Sequence, residues 1–153
     1  MVKTLLKVKD SKRSTVSLKT DGTTLFIQAK SPYAEYKEPT PHLTVDNARD
    51  IIAAIERFTG TTAVEDTSFV DKMPERGFKI YGHLLDSKGN EIRVQESSAC
   101  PVVYAWIFCH SPDGIKCEPG LTKDEALRLA SFLKVFVHDK NWHGHSGECP
   151  VCD

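Results

Sequence analysis

Two stretches of this chain resemble each other closely. LTVDNARDIIAAIERF begins at Leu43, and LTKDEALRLASFLKVF begins at Leu121. Leu43 and Leu121, Thr44 and Thr122, Asp46 and Asp124, Ala48 and Ala126, and Phe58 and Phe136 coincide, all at an offset of 78 residues. Aliphatic positions follow, with Ile51 matching Leu129 and Ile55 matching Leu133. The same offset lays Leu25-Phe26 on Val103-Tyr104, and Val16 on Val94, without a gap. Two amphipathic helices can resemble each other by chance, but the shared entry and upstream strand pattern predict a duplication, or at least two like-built halves. The fold expected is therefore α+β, in two similar halves, each made of antiparallel strands followed by one amphipathic helix packed on the sheet. The halves are read as residues 1–60 and 77–140, joined by a linker over 61–76 and followed by a Cys/His tail over 141–153.

The helix starts are legible. Thr122 with Glu125 three residues on forms a capping box. Thr44 caps the first helix, and Asp46 in its first turn is favoured by the helix dipole. Asn47 stands where the box asks for Glu or Gln, so that start is less firmly specified. Ala48, Ile51, Ile52, Ile55 and Phe58 form one apolar stripe, and Ala126, Leu129, Ala130, Leu133, Phe136 and Val137 form the other. Strands are predicted over Val2–Lys9, Thr15–Thr20 and Thr24–Lys30, then Phe78–Leu85, Glu91–Glu96 and Val102–His110. Ser11-Lys12-Arg13-Ser14, Asp21-Gly22 and Ser87-Lys88-Gly89-Asn90 supply the turns. Pro39, Pro41 and Pro119-Gly120 break the chain before the helices.

Val102–Phe108 reads VVYAWIF and is apolar at every position. A strand without a wet face is buried on both sides. One helix layer covers one face, so the other meets the second half, a second copy of the chain or a partner. Tyr104, Trp106 and Phe108 share one face and are the candidate partner-binding residues, since aromatic side chains favour interface anchors.

The chain has 153 residues with 20 Lys+Arg, 21 Asp+Glu and a net charge of −1, the balance of an ordinary globular protein. That argues against a generally basic nucleic-acid coat. The first 20 residues nevertheless hold Lys3, Lys7, Lys9, Lys12, Arg13 and Lys19 against Asp10 alone. Such a start can attract phosphate. It also suits a solvated edge strand kept from unwanted pairing by lysine. No apolar run reaches the length of a membrane span, and the N-terminal residues carry no signal-peptide pattern. Five cysteines in such a chain suggest a reducing, cytoplasmic setting with thiols or metal rather than a disulfide framework.

Metal-site spacing occurs in the tail. His143, His145, Cys149 and Cys152 read H-x-H-x3-C-x2-C, and a Cys-Pro-x-Cys turn can present two thiolates to one Zn²⁺. His110, His138, Cys109 and Cys117 are competing ligands. Cys109 adjoins His110, but neighbouring strand residues point to opposite faces, which argues against a Cys–His dyad. Motifs of nucleophile elbows, zinc proteases, phosphate loops, dinucleotide sites and zinc deaminases are absent, so no catalytic residue is expected.

The sheet segment followed by L-T-x-x-x-A and a helix (Leu43, Thr44, Ala48; Leu121, Thr122, Ala126, with IRVQESSA and AWIF upstream) resembles small bacteriophage-type proteins of unknown function. That resemblance implies an accessory protein and brings no activity with it. The function expected is non-enzymatic binding or inhibition of a protein, as a phage product aimed at a host protein or as a homodimer. The alternatives are a zinc-stabilised nucleic-acid binder using the basic N-terminal strands, or a ligand pocket between the halves.

Overall fold

The computed structural model describes residues 2–10, 13–30, 41–70, 79–96, 105–112 and 118–140, without the side chains of Phe69, Trp106 and Phe108. In chain order the elements are β1 (Lys3–Lys9), β2 (Thr15–Thr20), β3 (Leu25–Lys30), β4 (His42–Leu43) and α1 (Val45–Thr59). A 3-10 turn at Thr67–Phe69 leads to β5 (Ile80–Leu85), β6 (Glu91–Glu96), β7 (Ala105–His110), β8 (Gly120–Leu121) and α2 (Lys123–Lys140). Two four-stranded sheets form, with orders β1-β2-β3-β8 (sheet A) and β4-β7-β6-β5 (sheet B). Every pairing is antiparallel. The protein is thus α+β with antiparallel sheets and two helices. None of its described helices is long and apolar enough to cross a membrane.

β4 and β8 are two-residue strands with no signal in the sequence, because alternation cannot show in so short a run. Each immediately precedes a helix, yet each pairs with a distant part of the chain. Leu43 lies opposite Ala105 of β7, and Leu121 lies opposite Leu25 of β3. Neither sheet is therefore built from one half of the chain alone.

The hairpins owe their turns to aspartate. Asp10 Oδ1 accepts from Ser14 N at 2.8 Å and its Oδ2 from His42 N at 3.0 Å. Asp86 Oδ1 accepts from Lys88 N and Asn90 N at 2.9 Å, and its Oδ2 from Gly120 N at 3.0 Å. Each carboxylate closes its own turn and fastens the start of a two-residue strand. Arg13 (φ 68°) and Gly89 (φ 80°) take the left-handed conformation that closes these turns. Glycine adopts it freely; arginine adopts it at a cost of about 1 kcal/mol. The β1–β2 ladder shifts register between Thr4 and Leu6, and the β5–β6 ladder between Ile80 and Gly82. The first bulge breaks simple alternation along β1. Lys3 joins the Thr20 row, while Lys7 and Lys9 sit opposite Ser17 and Thr15.

Both helix starts are boxed. Thr122 Oγ1 accepts from Glu125 N at 3.2 Å, and Thr122 N donates to Glu125 Oε1 at 2.9 Å. At α1, Asn47 closes the box as Glu does at α2: Thr44 N donates to Asn47 Oδ1 at 3.2 Å, and Asn47 N to Thr44 Oγ1 at 3.1 Å. The shorter amide reaches because its acceptor oxygen needs only to fold back one turn. Gly60, left-handed at φ 72°, ends α1.

Ala48, Ile51 and Ile55 of α1 and Ala126, Leu129, Leu133 and Phe136 of α2 are buried in one core with Val16, Leu18, Leu25 and Ile27 of sheet A. Ile92, Val94, Ala105 and Ile107 of sheet B join it. The helix stripes are core, as their spacing implies. At one point the packing admits no side chain: a Cβ on Gly82 would lie 2.4 Å from the ring of Phe132. The C-terminal turn of α2 is tied to sheet B by a half-buried polar group. Tyr81 Oη donates to Asp139 Oδ2 at 2.7 Å, Lys79 Nζ donates to the same oxygen at 3.0 Å, and Lys140 pairs with Glu96.

Candidate functional site

The strongest chemical asymmetry lies on sheet A. In a ladder, residues directly opposite share a face. Val16, Leu18, Ile27 and Leu25 point to the core, so their neighbours define the outer face. Three rows follow from the register: Lys9–Thr15–Lys30, Lys7–Ser17–Gln28, and Thr4–Lys19–Phe26–Gly120. Four lysines occupy these rows and no carboxylate does. Lys7, Lys9 and Lys30 are exposed, and Lys19 is half-buried, donating to Gln28 Oε1 at 3.2 Å. Ser17 and Gln28 at the centre are buried, so the middle of this face is covered and the exposed Lys7, Lys9 and Lys30 stand at its margin. Lys19 stands on β2, between β1 and β3, so protection of an edge strand does not account for it; Lys30 stands where β3 has run past its two-residue pairing with β8.

Phe26, half-buried, packs against Gly120 at the end of this face and borders a cleft of about 650 Å³. The cleft is lined by Lys88 and Arg128 together with Asp86, Glu118, Asp124 and Glu125. Burial alone would raise the Asp86 carboxyl, but hydrogen bonds from Asn90, Gly120 and Lys88 outweigh it and hold the group below its usual value. Asp86 is thus a structural anchor charged at neutral pH, with its oxygens already occupied by donors. A smaller cavity of about 280 Å³ lies beside Lys79, Glu65, His138 and Asp139. Burial and the Asp139 carboxylate push the Tyr81 hydroxyl far above its ordinary value, so it remains a hydrogen-bond donor and not a base.

Among the residues expected to carry function, His143, His145, Cys149, Cys152 and Tyr104 lie outside the described residues. Trp106 and Phe108 are seen only as β7 backbone, with Trp106 paired to Gln95 and His42 and Phe108 to Arg93. On the opposite face of β7, Ala105, Ile107 and Cys109 are buried, and a buried cysteine packs as a small apolar residue. His110 is exposed while Cys109 is not, as alternation requires. Among the described residues no three His, Cys, Asp or Glu side chains gather as a metal site. Sequence reading had found the lysines of β1. It had not joined them to Lys30, because that requires the ladder register.

No protein-family model matches this chain, and no curated protein or solved structure matches it either.

Proposed function

We propose that the protein binds nucleic acid through the outer face of sheet A, with Lys7, Lys9, Lys19 and Lys30 taking backbone phosphates and Phe26 offering a ring at the end of the face. The observation that carries this reading is the register that collects four lysines from three strands without an acid among them. Phosphate neutralisation releases counterions, so the logarithm of affinity falls with the logarithm of salt by about 0.7 to 0.9 per contact. Four contacts predict a roughly 50- to 150-fold loss between 50 and 200 mM salt. Anisotropy of a labelled oligonucleotide measures this, and replacing all four lysines with alanine removes the binding. Affinity insensitive to salt, or retained by the fourfold variant, overturns the reading. The expectation of a protein partner held by Tyr104, Trp106 and Phe108 draws on side chains outside the description, and no described residue adds to it. One Zn²⁺ held by His143, His145, Cys149 and Cys152 remains part of the proposal, as a device that orders the tail.

We also infer that the chain is two copies of one β-β-β-β-α unit. Several independent correspondences support it. Asp10-Ser11-Lys12 and Asp86-Ser87-Lys88 stand 76 residues apart, and Arg13 and Gly89, left-handed in both turns, keep that spacing. The bulges at Leu5 and Tyr81 keep it too. β3 and β7 correspond at 80, and β4 and β8 at 78, so a longer β6–β7 connection and a shorter β7–β8 connection account for the changes. With these offsets every ladder maps onto its counterpart: Val16–Ala29 onto Ile92–Cys109, and Leu25–Leu121 onto Ala105–Leu43. The last pair closes on itself, as a two-fold relation between the units demands.

A further inference from the structure

Glu56 of α1 and Lys134 of α2 stand 78 positions apart, the spacing that relates the two helices, and they bond to each other at 2.9 Å. A position that meets its own counterpart lies at the centre of a two-fold interface. Two identical acidic or basic residues would repel there; one of each attracts. The Lys134 ammonium also donates to Ala63 O at 2.6 Å, and Glu56 Oε2 accepts from Ala63 N at 2.8 Å. Lys134, as hydrogen-bond donor to Glu56, holds that carboxyl below its usual value even though partial burial opposes this. The first residues after α1 are thereby pinned to the same pair. Around it, the contacts between halves are reciprocal: β8 completes the sheet of β1–β3, and β4 completes the sheet of β5–β7.

From this we propose that either half can be supplied by a second copy of the chain, giving a domain-swapped dimer, and that Glu56 and Lys134 are the residues that decide which halves mate. The inference stands on the contacts between halves and is independent of nucleic-acid binding. All contacts of the swapped form already exist in the closed chain, so the balance is set by effective concentration. Across a short linker this is on the order of millimolar, and the wild type closes on itself below that.

Charge reversal moves the balance. Glu56→Lys alone sets two lysines against each other, and Lys134→Glu alone sets two glutamates against each other; each also releases Ala63. In a swapped dimer of one variant with the other, both meeting points again pair Lys with Glu. If each mispair weakens closure about 30-fold, relief of two lowers the concentration needed for swapping about 1,000-fold, from millimolar to micromolar. The experiment is to unfold and refold the two variants together at about 50 µM and weigh the product by light scattering and native mass spectrometry. The expected product is a one-to-one heterodimer that appears only in the mixture, while each variant refolded alone gives no such dimer. The chain carrying both reversals should refold as a monomer, which shows that the site tolerates the exchanged charges even if the single variants do not fold alone. A mixture that contains no heterodimer while that double variant folds overturns the proposal, as does an equal yield of dimer from each variant by itself.

Discussion

Replacing Gly82 with alanine should be among the most damaging single-methyl additions this protein can receive. The added Cβ would stand 2.4 Å from Cδ1 and Cε1 of Phe132 and 2.7 Å from its Cγ, inside any real carbon–carbon contact. Phe132 is fully buried in the core that also holds Tyr81, Leu129, Leu133 and Phe136, so the ring cannot swing out to solvent without leaving that core. Overpacking of this kind costs about 1–3 kcal/mol. For a chain of this length each kcal/mol lowers the melting temperature by about 2–4 °C, so a fall of about 2–12 °C is expected. Thermal melts followed by far-UV circular dichroism, with urea titration for the free energy, measure it. In the proposed repeat the corresponding positions of the first unit are Leu6 and Ala54, a large residue on the strand and a small one on the helix. Installing that solution, Gly82→Leu with Phe132→Ala, should recover at least 1 kcal/mol of the summed single losses, because the two changes share one volume. A Gly82→Ala variant that melts within a degree of the wild type refutes the packing argument. A double variant no better than the sum refutes the correspondence between the units.

Asp86→Ala should cost about 2–3 kcal/mol by leaving the Gly120 and Asn90 amides without their acceptor, measured by urea unfolding at pH 7. The Asp86 carboxyl lies below its usual value in the folded state, so its stabilisation is present above the unfolded value of about 4 and is lost as pH falls through the folded one. Glu56 and Asp139 shift in the same direction, so urea midpoints should drop steadily below about pH 4, less steeply in Asp86→Asn. Thr44→Ala and Thr122→Ala should each cost about 1 kcal/mol, since each removes the acceptor of a boxed helix start. Protein purified without chelator should contain one equivalent of zinc by elemental analysis, and Cys149→Ser with Cys152→Ser should lose it.

The helices, their caps and most strand limits follow from the amino-acid order because local rules decide them: a threonine before an apolar period of 3.6, and alternation between turn residues. β2 and β6 fall over Thr15–Thr20 and Glu91–Glu96, the ranges that alternation predicts. β4 and β8 were not legible, since two residues carry no period and their partners lie far along the chain. The repeat shows in the helices at an offset of 78, but that single offset laid Val16 on Val94 and Leu25 on Val103. In the proposed repeat, ladder register aligns them with Ile92 and Ala105 instead, because connections of different length shift the offset along the chain. For the same reason the two Asp-Ser-Lys turns went unmatched. The lysine face was half visible: Lys7 and Lys9 read as one wet side of an edge strand, while Lys19, Lys30 and Phe26 join them only through cross-strand register. The apolar run around Trp106 drew attention to the opposite sheet because hydrophobicity is visible in a linear sequence and a cationic face built from three strands is not.

The most direct test of nucleic-acid binding by sheet A is to follow the backbone amide resonances of the isotopically labelled protein as an unlabelled oligonucleotide is added at low salt. The account predicts shift changes concentrated on Lys7, Lys9, Lys19, Phe26 and Lys30, fading as salt is raised, with the buried helix positions Ile51 and Leu133 unmoved. Changes confined to the helices or to sheet B, or none at all at millimolar oligonucleotide, would contradict it.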